Sequence, residues 1–263
     1  MLKKLLKYDL KSIFKFLIIF YILALLFGIL TRIFLNIENS LIMNIIGKVC
    51  SGASISMMFN ILINNLMRLW VRFKENLYGD ESYLTHTLPI EKKTIYLSKT
   101  LTSIITLFTS IAIIGLTIFI AYYSKENLHI IRELLLPIAN SYGSTIITIV
   151  LAILFIFFIE LANAIQCGFT GIILGHRKNN NKLGYSVLFG FIVYMITQVF
   201  ALFIIFLVAL FNKDIMNLFI TNQIVNLEMV KVIIYLATII YTIILVIGYL
   251  TNLKLFEKGV NID

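Results

Sequence analysis

Glu160 is the acid that lies well inside an apolar run of this chain, within LAILFIFFIELANAIQ. Asn163 and Gln166 follow at i+3 and i+6, which lays a polar stripe roughly along one side of a helix. A charge at the centre of a membrane span costs roughly 2.5–3.5 kcal/mol on insertion scales, so such a carboxylate should face protein or water rather than lipid. Two roles fit. The stripe lines a translocation path, or Glu160 sits toward the cytoplasmic end of its span and bonds to a neighbouring helix. Lys48, in GKVCSGAS, offers the same choice. It lines an external vestibule, or its stem lies along apolar surface and carries the ammonium to the interface.

No catalytic constellation accompanies these residues. The sequence holds no G-x-x-x-x-G-K-[ST], H-E-x-x-H, G-x-S-x-G or C-x-x-C pattern. His86, His129 and His176 fall in three different connections, so they are not expected to share a site. Cys50 and Cys167 both lie in apolar segments and read as small buried side chains.

The elements that must position these residues follow from composition. Of 263 residues, 60% are hydrophobic and 13% charged, and the mean hydropathy is +0.97. A soluble domain carries roughly 25% charged residues. Half that leaves too little polar surface to cover a water-exposed globule. The apolar runs are continuous rather than alternating, which fits spanning helices and not the strands of a barrel. Spans of about 20 residues are required. Six are expected, at about 16–35, 41–66, 100–123, 144–165, 186–211 and 230–252, making an all-α integral membrane protein of one transmembrane domain over 1–263.

Residues 2–15, LKKLLKYDLKSIFK, place Leu2, Leu5, Leu6, Leu10, Ile13 and Phe14 on one helical face and five lysines on the other. An amphipathic helix in the headgroup plane accounts for this. A cleaved signal peptide competes less well, because no small-residue cleavage site follows. Sixteen of the 22 lysines and arginines lie at the two ends of the chain and in the connections 67–99 and 166–185. By the positive-inside rule these segments face the cytoplasm, with both termini inside. The net charge of +9 is then a topology signal dispersed over four segments, with no nucleic-acid partner implied. Ala164-x-x-x-Gly168 and Gly171-x-x-x-Gly175 have helix-packing spacing, within the chain or in a dimer. The outer segment 218–230, LFITNQIVNLEMV, is apolar enough to dip back into the membrane.

The longest polar interruption is Lys74–Pro89. Gly79 supplies a turn, Asp80 can cap a short helix, Leu84 and Leu88 share one helical face, and Pro89 ends the helix near Leu88. Such a capped helix with apolar anchors suits a groove on a partner.

The stretch KENLYGDESYLTHTLPIEKKTIYLSK resembles the cytoplasmic loop between spans two and three of ABC-2-type ABC transporter permeases of Gram-positive bacteria. The resemblance is carried by Gly79-Asp80-Glu81, Tyr83-Leu84, Thr87-Leu88-Pro89 and Ser98-Lys99. LLKYDLK near the N-terminus and LKLFEKGVNI near the C-terminus are similar to that family's ends. The resemblance implies a permease subunit in a bacterial cell membrane, exporting a peptide, antimicrobial agent or lipid-like substrate by alternating access. It implies a separate ATP-binding cassette ATPase, which holds the ATP and magnesium, and a second permease chain, identical or different. The permease itself then binds no cofactor and is not an enzyme. The loop 67–99, with its coupling helix, would transmit the motion of the ATPase. Two other classes remain open: a polytopic membrane enzyme built around Glu160 or His176, and a membrane accessory or sensor protein that transports nothing.

Overall fold

The structure is a computed structural model that describes residues 1–37, 40–141, 143–212, 215–216 and 227–258. Among them there is no strand. Among the described residues eight helices of six residues or more follow one another: α1 Leu2–Leu35, α2 Leu41–Tyr78, α3 Ser82–Thr87, α4 Lys92–Tyr122, α5 Lys125–Ser141, α6 Ile146–Gly175, α7 Lys182–Ala209 and α8 Leu227–Glu257. Six of these, all but α3 and α5, are long and apolar enough to cross a membrane. The outward faces explain why: Ile18, Ile22, Phe59, Phe108, Leu151, Val199 and many other large apolar side chains are exposed. That is the surface of a protein whose solvent is hydrocarbon.

The helices outlast the apolar runs from which they were expected. No proline or glycine interrupts residues 2–27, and α1 continues unbroken from the basic segment into the span. The expected division into an interfacial helix 2–15 and a span 16–35 is therefore absent from the backbone. The connection 67–99 is likewise mostly helix, because α2 runs on to Tyr78 and α4 starts at Lys92. The connection 166–185 shrinks to 176–181, since α6 continues to Gly175. Helical hydrogen bonding persists wherever side chains permit it, whether they face lipid or water. Residues 218–226 of the expected dip and the tail after Lys258 lie outside the described residues, and 227–230 form the first turn of α8.

The chain divides into two compact units, Met1–Leu128 and His129–Ile262. In the first, α1 packs against both α2 and α4. Within the apolar level of this unit, Tyr21 Oη and Ser110 Oγ are hydrogen-bonded at 2.8 Å, and Asn65 Nδ2 donates to the same Ser110 oxygen at 2.9 Å. One buried polar side chain from each of three helices thus joins the set, although Asn65 Oδ1 has no hydrogen-bond partner among the described residues. The two bonds fix their register, because an unmet partner would cost more than the bond contributes.

In the second unit α6 is the central helix, flanked by α7 and α8. Its glycines explain the closeness to α7. A Cβ on Gly171 would collide with the backbone of Ser186 and Gly190, and one on Gly175 with Ser186. The small-residue spacing is thus used for packing within the chain, where two backbones meet without intervening side chains.

Candidate functional site

Among the described residues, three of the ion pairs gather at the end of the first unit where α2, α3 and α4 are joined. Asp9 lies on the α1 face that also carries buried Ile13 and Leu17, and it is itself only 3% exposed. Lys99 Nζ, from α4, donates to Asp9 Oδ1 and Oδ2 at 2.7 and 2.8 Å. Lys99 also donates to Asn76 Oδ1 of α2. Asn76 Nδ2 in turn donates to Glu81 Oε2. Arg72, one turn before Asn76, closes the cluster: its Nη1 donates to Glu81 Oε1 at 2.8 Å, and its Nε lies 3.6 Å from Asp9 Oδ1. Four elements, α1, α2, α4 and the cap of α3, are tied into one node. Two cations meet two carboxylates, with an amide relaying between them, so the buried charges are paired as burial requires.

Aromatic packing surrounds the node. Phe73, Tyr78 and Tyr96 are among the largest fully buried side chains. Phe73 meets Tyr96 edge-on with ring centroids 6.3 Å apart, and Tyr78 at 6.4 Å. These rings lock the lower part of α2 to the start of α4.

The short helix α3 is built on this base. α2 ends at Tyr78, and Gly79 N–H donates back to the Lys74 carbonyl at 3.0 Å. A Cβ on Gly79 would press on the Glu75 backbone, which favours glycine at this turn. The cap position of α3 falls on Glu81 rather than on Asp80. Glu81 does not cap with its side chain, which is committed to Arg72 and Asn76. Asp80 is exposed. His86 Nε2 lies 3.1 Å from the Leu77 carbonyl oxygen, holding the far end of α3 to α2. Thr87 Oγ1 donates to the Leu84 carbonyl, and the helix ends there, one residue short of Leu88 and two before Pro89. Anchored this way, α3 turns apolar side chains outward: Tyr83 is 60%, Leu84 74% and Leu88 43% exposed.

The other residues singled out by sequence are elsewhere. Lys48 is exposed on α2. In the second unit Glu160 Oε1 accepts from Tyr194 Oη at 2.9 Å and from Gln198 Nε2 at 2.7 Å, both on α7. Tyr241 of α8 donates to Gln198 Oε1 at 2.7 Å. Glu160 Oε2 has no hydrogen-bond partner among the described residues, and neither has Nδ2 of the buried Asn163. Gln166 turns to α8 instead, where Asn252 Nδ2 donates to its backbone oxygen at 3.0 Å and to Oε1 at 3.1 Å. The expected single stripe of Glu160, Asn163 and Gln166 is thus divided between α7 and α8. Three residues advance a helix by 300° rather than a full turn, so such a row winds around the axis.

His86, His129 and His176 occupy α3, α5 and the C-cap of α6 respectively. Among the described residues no group of three or more His, Cys, Asp or Glu is placed to hold a metal ion. Cys50 and Cys167 are buried free thiols.

Asp9 was not singled out by its residue type, yet its spacing marks it. It falls in the series Leu2, Leu5, Leu6, Asp9, Ile13, on the apolar face of an otherwise basic helix. An acid in that position needs a buried cation, and Lys99 at the entry to the third span supplies one.

These features define a class, the all-helical multi-pass membrane protein. No protein family, curated protein or solved structure matches the chain.

Proposed function

We propose that this chain is the membrane-spanning permease subunit of an ATP-driven ABC exporter, with α3 as the helix that docks into a separate ATPase. The observation that carries this reading is the exposed apolar set of Tyr83 and Leu84 on a short helix and Leu88 just after it, fastened to α2 and through the charged node to α1 and α4. An apolar helix face outside the spans suits a groove on a partner protein. Its rigid mounting is what a transmitting contact needs: a push on α3 reaches α1, α2 and α4 through Glu81, Arg72, Asn76, Lys99 and Asp9. In this reading both termini, α3 and the connection 176–181 face the cytoplasm of a bacterial cell. A second permease chain completes the path, and the polar cluster around Glu160 contributes to it. The cargo is a peptide, an antimicrobial agent or a lipid-like molecule. ATP and magnesium belong to the ATPase.

The test is affinity purification of the tagged chain from its native membrane, with mass spectrometry, beside the triple variant Tyr83→Asp, Leu84→Asp, Leu88→Asp. An ATP-binding cassette ATPase should accompany the wild type and be lost from a variant that still inserts. Equal recovery of the ATPase with both, or no ATPase with either, overturns the reading.

A further inference from the structure

The connection between the third and fourth spans contains α5, a helix of 17 residues, Lys125–Ser141. Its pattern is strongly two-sided. Leu128, Ile131, Leu135 and Ile138 recur at steps of three and four, with Leu134 and Ile130 widening the stripe. Lys125, Glu126, His129, Arg132, Glu133 and Asn140 occupy the opposite arc, joined there by Leu136. A face of this kind is normally buried against protein in a water-soluble domain. Here Leu134 is 67% exposed, and Leu128, Ile130 and Ile131 are nearly half exposed.

Chain geometry says what covers that face. α4 is long and apolar enough to cross a membrane and ends at Tyr122, and α5 begins at Lys125. The bend is fixed by two hydrogen bonds. Asn127 Nδ2 donates to the Tyr122 carbonyl at 2.7 Å, and Asn127 N–H donates to Ser124 Oγ at 3.0 Å. At its other end α5 is followed within five residues by α6, which is also long and apolar enough to cross. A chain reaches at most about 3.6 Å per residue, so both ends of α5 are held near the same membrane surface. The helix itself is about 25 Å long at 1.5 Å per residue. Held at both ends, it runs along that surface.

We propose that α5 is a membrane-surface helix whose Leu128, Ile131, Leu134, Leu135 and Ile138 face inserts among the acyl chains just below the headgroups. The occupant of the exposed face is the lipid bilayer, on the side opposite the N-terminus, since three crossings precede α5. The polar arc, with two bases, two acids and the His129–Glu133 pair at 3.5 Å, faces water. Equal numbers of the two signs give the helix no formal charge preference, so zwitterionic lipid serves as well as anionic lipid. This inference depends on the six spans and not on the exporter reading.

The experiment is spin-label accessibility in the full chain reconstituted in phosphatidylcholine vesicles, repeated with one-quarter phosphatidylglycerol. Cys50 and Cys167 are replaced by alanine. Single cysteines are introduced by Ile131→Cys, Leu134→Cys and Leu135→Cys on the apolar arc, and by Glu126→Cys, His129→Cys and Glu133→Cys on the polar arc. Apolar-arc labels should collide with oxygen several-fold more than with a water-soluble nickel chelate, and polar-arc labels the reverse, alike in both vesicle types. Protection of the apolar arc from both reagents would mean a protein partner covers it. Nickel access all round would mean α5 stands in water. Either result overturns the proposal.

Discussion

Lys99 and Asp9 are ninety positions apart in the chain and meet through both carboxylate oxygens at 2.7 and 2.8 Å, with neither more than 7% exposed. The pair joins the first helix to the start of α4. Asn76 and Arg72 extend it to α2, and Glu81 to α3. The buried ion pair is thus linked, through Arg72 and Asn76, to Glu81 at the cap of the exposed helix.

Removal of one partner leaves the other charged and buried. Lys99→Ala or Asp9→Ala should each cost about 3–5 kcal/mol. The double change Asp9→Leu, Lys99→Met should recover much of that loss, because a well-packed apolar pair can replace a buried ion pair. Thermal unfolding in detergent, compared across the singles and the double, checks this. A double variant no better than the singles would mean the charges are needed for the fold itself.

Glu81 is nearly half exposed, so its ion pair with Arg72 contributes little to global stability, about 1 kcal/mol or less. Its effect should be local. Glu81→Ala is expected to leave the unfolding temperature almost unchanged while hydrogen exchange over residues 79–88 speeds up. Unchanged exchange there would place the hold on α3 elsewhere, at the His86–Leu77 contact.

Gly171 allows α6 to lie directly on the backbone of α7. Gly171→Val must push the two helices apart and should destabilise by about 1–3 kcal/mol or more. Glycine to valine at Gly115 of α4, where an added Cβ meets nothing within 4 Å, is the control and should be nearly silent apart from helix propensity. Comparable losses at both positions would contradict the packing account.

Glu160→Gln keeps an acceptor for Tyr194 and Gln198 and removes a formal charge. Stability should change by about 1 kcal/mol or less. If Glu160 serves the path, transport by the assembled complex should fall while the amount of inserted protein does not. Full transport would leave Glu160 with its packing role alone.

The six spans were legible because a membrane imposes a simple rule, about 20 apolar residues for each crossing. That rule reports where lipid is and not where helix is. Residues 67–78 and 92–99 look like loop because they carry Arg68, Arg72, Lys74, Lys92 and Lys93. They are helical because nothing in them breaks a helix. The segment 125–141 hides its helix in a different way: Pro137 and mixed charge mask a stripe at steps of three and four. A short helix before Pro89 could be read from the sequence, but the expected shared face of Leu84 and Leu88 is not formed, because the helix stops at Thr87 and Leu88 is extended. The node beneath that helix could not be read, since it joins residues 9, 72, 76, 81 and 99, whose proximity exists only once three helices have packed. Glu160 was conspicuous for the opposite reason, as an acid in a long apolar run.

The length of α2 has a mechanical consequence. At 38 residues it is about 57 Å long, against a hydrocarbon layer of about 30 Å. On the six-span reading its last third, residues 67–78, extends beyond the expected span as a stiff arm with α3 at its tip. On an arm of about 18 Å, the rise of the twelve residues from 67 to 78, a sideways displacement of about 3 Å at the tip tilts the helix by about 10°. A flexible linker of the same length would absorb that displacement. In the exporter reading proposed above, a helix braced by Phe73, Tyr78 and Tyr96 would deliver it to the membrane interior as rotation.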